Sequence, residues 1–261
     1  AVNWRGPARN PADWSISSDF SGITIEAVAA NPANGRSMTP GVRNFSGNFQ
    51  ASNDGGRISL NTTNGSLTFP GIFEHPTIEA GALTGDVYWT RQNGQPIVTF
   101  ERIHVVNADA DVSAQGTWRA DPAAGPSGVA DITGTIARAQ AASVWKYMPL
   151  VIGKPVRDWL QNGLVSGTAQ NGTFEIRGPF KGFPWVKDPK SGRFYVGADV
   201  VNAAIDYVPD RVSKKKGALW PLLTDINGRI AFEGLSMRVE ADRAKTFGVD
   251  VGKTTAVIAN L

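Results

Sequence analysis

Apolar and polar positions alternate with period two along most of the chain, as in Trp14-Ser15-Ile16-Ser17, Ile58-Ser59-Leu60-Asn61, Phe174-Glu175-Ile176-Arg177 and Met237-Arg238-Val239-Glu240. Such alternation buries one face of a strand and wets the other. Turn signals punctuate it at Asp54-Gly55-Gly56, Asn64-Gly65, Asn93-Gly94, Pro122 to Pro126, Lys190-Ser191-Gly192 and Glu233-Gly234. There Gly and Asn supply φ > 0, and Pro stops a ladder. The spacing predicts about fourteen strands joined as hairpins, hence a mainly β fold on a mainly antiparallel sheet.

A shorter pattern, apolar-x-Gly-x-apolar, recurs in Phe45 to Phe49, Leu83 to Val87, Ile132 to Ile136 and Ile226 to Ile230, with Gly47, Gly85, Gly134 and Gly228 at the centres. Pro40 precedes Gly47 by the same interval as Pro221 precedes Gly228. A Gly inside a strand marks a bend, a bulge or a close backbone approach, so the repeat predicts positions where a sheet curls.

One stretch departs from the β pattern. Ala141, Val144, Trp145 and Met148 fall at i, i+3, i+4 and i+7, and Val156, Trp159, Leu160, Gly163 and Leu164 repeat the spacing beyond Pro149 and Gly153. These predict two short amphipathic helices near 140–164, with Pro155 in a first turn and Gly167 just past the end. Their apolar faces, carried by Val144, Trp145, Met148, Val156, Trp159 and Leu160, suit either ordinary packing on the sheet or a lid over it. The expected organisation is strands over 1–139, a helical segment over 140–167, and strands over 168–261 continuing the same sheet.

Composition narrows the chemistry. Of 261 residues, 29 are Gly, 16 are Pro and none is Cys, which disfavours a helical bundle and excludes disulfide scaffolds, thiolate metal sites and cysteine nucleophiles. No apolar run reaches the roughly 18 residues of a membrane-crossing helix, and the first residues already read as structure, as in a mature protein or a piece of a longer one. The net charge is only +3, and the basic cluster Arg211 to Lys216 lacks interleaved aromatics, so no nucleic-acid partner is expected. The two His, His75 and His104, have no companions at ligand spacing, so neither a metal site nor a His-based triad is expected. Ser143 and Lys146 fit Ser-x-x-Lys, as do Ser213 and Lys216, without the partner motifs of a serine acyl enzyme. Gly248 to Thr254 is one residue short of a P-loop and ends a strand instead of opening a helix. Asp109 and Asp111 stand at strand spacing on one face, and with no turn Gly or further acid at calcium-loop spacing they read as a solvated strand face before a cation site or a carboxylate pair, while Asn44, Asn61, Asn64 and Asn171 open sequons of consequence only in a glycosylating compartment. No cofactor and no enzymatic activity are expected.

An ordered series of motifs is more specific. Tyr147-Met148-Pro149, Arg157-Asp158-Trp159-Leu160, Gly163 to Gly167, Arg177-Gly178, Phe183-Pro184-Trp185, Asp206-Tyr207 with Pro209, Trp220-Pro221 with Leu223, and Ile226 with Gly228 resemble the YhdP branch of the AsmA-like proteins of Gram-negative bacteria. In the N-terminal half, Trp4-Arg5-Gly6, Pro40-Gly41, Gly55-Gly56, Phe69 to Phe73, Asn107-Ala108-Asp109 and Trp118 extend the resemblance over nearly the whole chain. Met148 and Trp185 replace an expected Leu and Phe, and the closing Ile258 to Leu261 lacks an expected Pro-Asp.

The resemblance implies a segment of a longer periplasmic protein, held in the inner membrane by an N-terminal anchor outside this sequence and joined to neighbouring groove segments. It further implies a curled antiparallel sheet forming a long open groove that carries phospholipid acyl chains toward the outer membrane. Same-face apolar candidates for its lining are Phe45, Phe49, Ile58, Leu60, Phe69, Val87, Phe100, Ile132, Ile136, Phe174, Ile176, Ile205, Ile230, Phe232, Met237 and Val239. Alternation alone leaves open whether these close on one another as a dry sandwich core. The alternative function is a structural or assembly module of the envelope that binds a protein partner through the helical segment.

Overall fold

The computed structural model of the chain describes residues 1–7, 9, 11–31, 33, 38–209 and 222–259. The basic cluster Arg211 to Lys216, the Trp220-Pro221 pair and the closing Asn260 and Leu261 lie outside the described residues. Fourteen strands form one sheet: β1 (Val2–Arg5), β2 (Asp13–Ile25), β3 (Gly41–Ser52), β4 (Gly55–Thr68), β5 (Thr77–Gln92), β6 (Gln95–Val106), β7 (Ala110–Asp121), β8 (Gly125–Gln140), β9 (Leu164–Pro179), β10 (Arg193–Ile205), β11 (Leu223–Glu233), β12 (Ser236–Thr246), β13 (Val249–Val251) and β14 (Thr254–Ile258). Spatial order follows chain order from β1 to β13, and β14 also pairs with β12. The two edges do not meet, so the sheet is open. It is not a sandwich: the described residues contain no second sheet to close on it. A 3-10 turn at Ala141–Tyr147 and helix α1 (Lys154–Gly163) interrupt the strands between β8 and β9.

Register makes the two faces chemically different. Directly opposed residues of neighbouring strands project to the same side, and one such row runs Phe49, Ile58, Val87, Phe100, Gly116, Ile132, Ile176 and Phe194 across β3 to β10. A second row continues it from Gly134 through Phe174, Val196, Phe232 and Met237 to Ile258. The row on the other face reads Gln50, Arg57, Tyr88, Thr99, Thr117, Asp131, Arg177 and Arg193. The repulsion between the facing Arg177 and Arg193 is relieved by Glu175, which lies 3.4 Å from the first and 2.8 Å from the second.

The four repeated glycines do not act alike. Register shifts fall beside Gly47, Gly85 and Gly228. At Gly85 φ is +143°, and an added Cβ would lie 2.7 Å from the Ile103 Cα, so both conformation and space require glycine. Gly134 marks no bulge. It lies opposite Phe174, whose ring would be 2.3 Å from an added Cβ, so the glycine makes room for an aromatic side chain on the apolar face. Further bulges are set by non-glycine residues at φ near +50°, among them Asn44, Asn64, Arg102, Asn171, Asn202 and Asp225. Asn and Asp enter this region at lower cost than most side chains, and each bulge adds local twist and bend. The expected turn at Asn64-Gly65 is therefore a bulge inside β4.

The core sits in the C-terminal half, where Ile152, Val156, Leu160 and Leu164 pack with Val200, Ile205, Ile226, Met237 and Val239. A smaller cluster of Phe45, Ala80 and Leu83 gathers Phe20, Leu60, Ile103 and Val105 around it. On the polar face, Asp86 is 5 % exposed and accepts hydrogen bonds from Ser59 Oγ at 2.5 Å, Arg57 Nη2 at 2.7 Å and Arg102 Nη2. The Ser59 hydroxyl and the Arg57 guanidinium lower its carboxyl to about 2.

Two stability predictions follow from this division. Because the folded-state pKa of Asp86 is depressed, its contribution is present above the ordinary carboxylate pKa and is lost as pH falls from about 4 toward 2. Urea unfolding across that window should show a stability loss in the wild type that Asp86→Asn lacks. Leu160→Ala, within the buried cluster, should cost about 2–4 kcal/mol, whereas Ile58→Ala on the half-buried row should cost under about 1 kcal/mol. Equal losses in urea unfolding would show that the row is core.

Candidate functional site

The connection between β8 and β9 folds back over the apolar face as a strap. Its first half, Ala141–Tyr147, is the first of the two short helices expected, and it takes the 3-10 and not the α form. The i, i+3, i+4 spacing of a seven-residue segment does not separate the two, and Pro149 prevents extension. The second half, α1, has Pro155 in its first turn as expected and an i, i+4 pair of Lys154 with Asp158 at 2.6 Å. The helical segment ends earlier than 167: α1 stops at Gly163, and β9 begins at Leu164. Gly167 lies within β9, at φ +119° and against Ala203.

Val144, Met148, Val156 and Leu160 face the sheet across an apolar cavity of about 140 Å³, whose floor includes Ile136, Val200, Ile205, Ile230, Phe232 and Val239. Trp145 and Trp159 flank this set. Trp145 meets the His75 ring edge-on at 5.2 Å, and the Trp159 indole N–H donates to the Tyr207 carbonyl at 3.3 Å. Phe194 and Leu235 also line the cavity, and Phe183 packs edge-on against Phe194 at 5.3 Å.

The sixteen residues expected on one apolar face separate by burial. Phe45, Ile205, Met237 and Val239 are buried. Phe49, Ile58, Leu60, Val87, Phe100, Ile132, Ile136, Phe174, Ile176, Ile230 and Phe232 are half-buried within the strands. Phe69 lies just beyond β4 and packs edge-on against Phe73 at 6.0 Å. The strap thus covers the C-terminal part of the apolar face, while the row from Phe49 to Ile132 lies outside the cavity and the buried cluster beneath it.

Polar groups tie the strap to the turns along one end of the strands. Asp109, in the turn between β6 and β7, accepts from Ser143 Oγ at 2.8 Å, Lys146 Nζ at 3.0 Å and Tyr147 Oη at 3.1 Å. Burial pushes its carboxyl up, but the hydrogen bonds from Lys146, Ser143 and Tyr147 outweigh this and hold it below the usual carboxylate range. Burial, with the nearby Asp109 charge, raises the Tyr147 phenol. Arg157 lies 3.5 Å from Glu74, Leu150 N–H donates to the Ile72 carbonyl at 2.8 Å, and Asp206 N–H donates to the Gly163 carbonyl at 2.9 Å.

These contacts revise three expectations. Asp109 and Asp111 do not form the expected solvated strand face: Asp109 lies in a turn and holds the strap, and Asp111 accepts its own contact from His104 at 2.8 Å, a companion that sequence spacing did not reveal. Ser143 and Lys146 both point to Asp109, which gives the Ser-x-x-Lys spacing a clasping role. The clasp spans 34 to 38 residues, a separation that no local spacing records. Among the described residues, no three His, Asp or Glu side chains converge as metal ligands, and no helix is long and apolar enough to cross a membrane.

The chain is 25 % identical over 222 residues to the intermembrane phospholipid transporter YhdP of Escherichia coli (strain K12), an alignment that covers 85 % of this chain and 16 % of that protein. No solved structure matches. The profile described as YhdP protein matches residues 1–261, and the chain belongs to the YhdP family.

Proposed function

We propose that this chain is a non-enzymatic segment of a periplasmic phospholipid conduit between the inner and outer membranes. The strands of 1–139 and 168–261 form one groove floor, and acyl chains lie on its apolar face while head groups stay at the wet ends of the strands. The carrying observation is the half-buried apolar row, Phe49 through Ile132 to Phe194, which crosses eight strands with no second sheet over it among the described residues.

The physical requirement is cover without chemistry. Each methylene returned to water costs about 0.8 kcal/mol, so a chain of about a dozen carbons must keep apolar contact throughout its passage. At about 4.8 Å per strand the sheet extends on the order of 58 Å, about twice the hydrocarbon thickness of a bilayer. One segment therefore bridges part of an aqueous gap. The longer protein would supply neighbouring groove segments and an inner-membrane anchor.

A partner-binding module using the apolar side of the helical segment fits less well, because Val144, Met148, Val156 and Leu160 are turned toward the sheet. A photo-crosslinking residue at Phe49 or Phe100 should capture phospholipid from phosphatidylethanolamine and phosphatidylglycerol vesicles, and the same residue at Tyr88 on the polar face should not. Equal yields at all three positions, or none, would overturn the conduit reading.

A further inference from the structure

We infer that residues 141–163 are a displaceable strap that closes the groove over β8 to β12, and that the Asp109 carboxylate is the latch that sets how readily it lifts. The inference rests on the conduit reading and adds a gate to it.

Capacity is the first support. The space under the strap is about 140 Å³, and an apolar cavity of about 150 Å³ holds a molecule the size of benzene. A lipid acyl chain does not fit beneath the strap in this arrangement. Among the described residues, the same face over β3 to β7 carries no strap. The two ends of one groove therefore differ in whether they admit a chain, and continuous passage requires the strap to move.

The strap is built to move as a piece. Its 3-10 turn and ten-residue helix are shorter than a segment that is helical by itself in water. Neither begins with a side-chain cap. Its order therefore comes from docking. Docking is apolar toward the sheet and polar at one end of the strands. When an acyl chain replaces the strap on the floor, apolar contact is exchanged for apolar contact, and that part of the balance nearly cancels. What remains are the polar ties, of which the densest is the clasp where the Asp109 carboxylate receives three strap side chains, beside the contacts to Glu74, Ile72 and Asp206. Removing the clasp shifts the balance toward the lifted state.

The test uses two readouts on the full chain. Hydrogen exchange reports the latch without lipid. Asp109→Ala should speed exchange of the 141–147 amides by about 5-fold or more while β8 and β9 amides stay unchanged. Asp109 also shapes its own turn, so the double variant Ser143→Ala with Tyr147→Phe removes two ties from the strap side and should act in the same direction. The second readout places a photo-crosslinker at Phe232 under the strap and, separately, at Phe49 outside it, with the vesicles named above. Capture at Phe232 should be low in the wild type and rise about 5-fold or more in either variant, with capture at Phe49 unchanged. Unchanged exchange in both variants, or wild-type capture at Phe232 equal to that at Phe49, would overturn the latch. Absence of capture at Phe49 together with faster strap exchange would retain the latch and reject the conduit.

Discussion

Because side chains alternate across a strand, a one-residue slip in any ladder would carry that strand's apolar residues to the wet face and break the row. The cross-strand register is thus the constraint on which the other features depend. Its hydrogen bonds fix which residues stand opposite one another, and the row from Phe49 to Phe194 exists only because seven successive pairings agree. The polar face reinforces the same registers through side-chain chemistry. Asp86 gathers Arg57 and Ser59 from β4 and Arg102 from β6, and Glu175 sits between two arginines.

Bulges reconcile this order with curvature. A bulge leaves one residue unpaired and bends its strand without turning the whole face over. Placing Asn, Asp or Gly at these points lowers the backbone cost, and Gly85 shows how little space remains where strands approach. The strap meets a related demand at the C-terminal end of the face: it covers apolar surface that the open sheet leaves exposed. It does so with two short pieces that depend on their docking site. Cover that is only docked is also cover that can be exchanged.

Much of this was legible in the sequence. Period-two alternation gave the strands, and the change of period between 141 and 164 located the strap. Both are local patterns, set by which face a side chain occupies. What escaped was non-local or too short to carry a period. The difference between a 3-10 turn and an α-helix over Ala141–Tyr147 rests on one turn of hydrogen bonds. Asn64 read as a turn because an Asn-Gly pair suits a hairpin and a strand bulge alike. The Asp109 clasp and the His104 to Asp111 contact depend on where the chain returns, which neither composition nor spacing records. Phe174 reads as an ordinary alternating apolar residue until Gly134 is seen opposite it.

On the proposed reading, the apolar row is an uncovered surface occupied by acyl chains. A high-resolution structure of the protein purified from cells with its bound lipid retained tests this most directly. Elongated density along Phe49, Ile58, Val87, Phe100 and Ile132, continuous with a polar head group at the strand ends, is the expected result. A row buried against protein, with no room for an acyl chain, would contradict it.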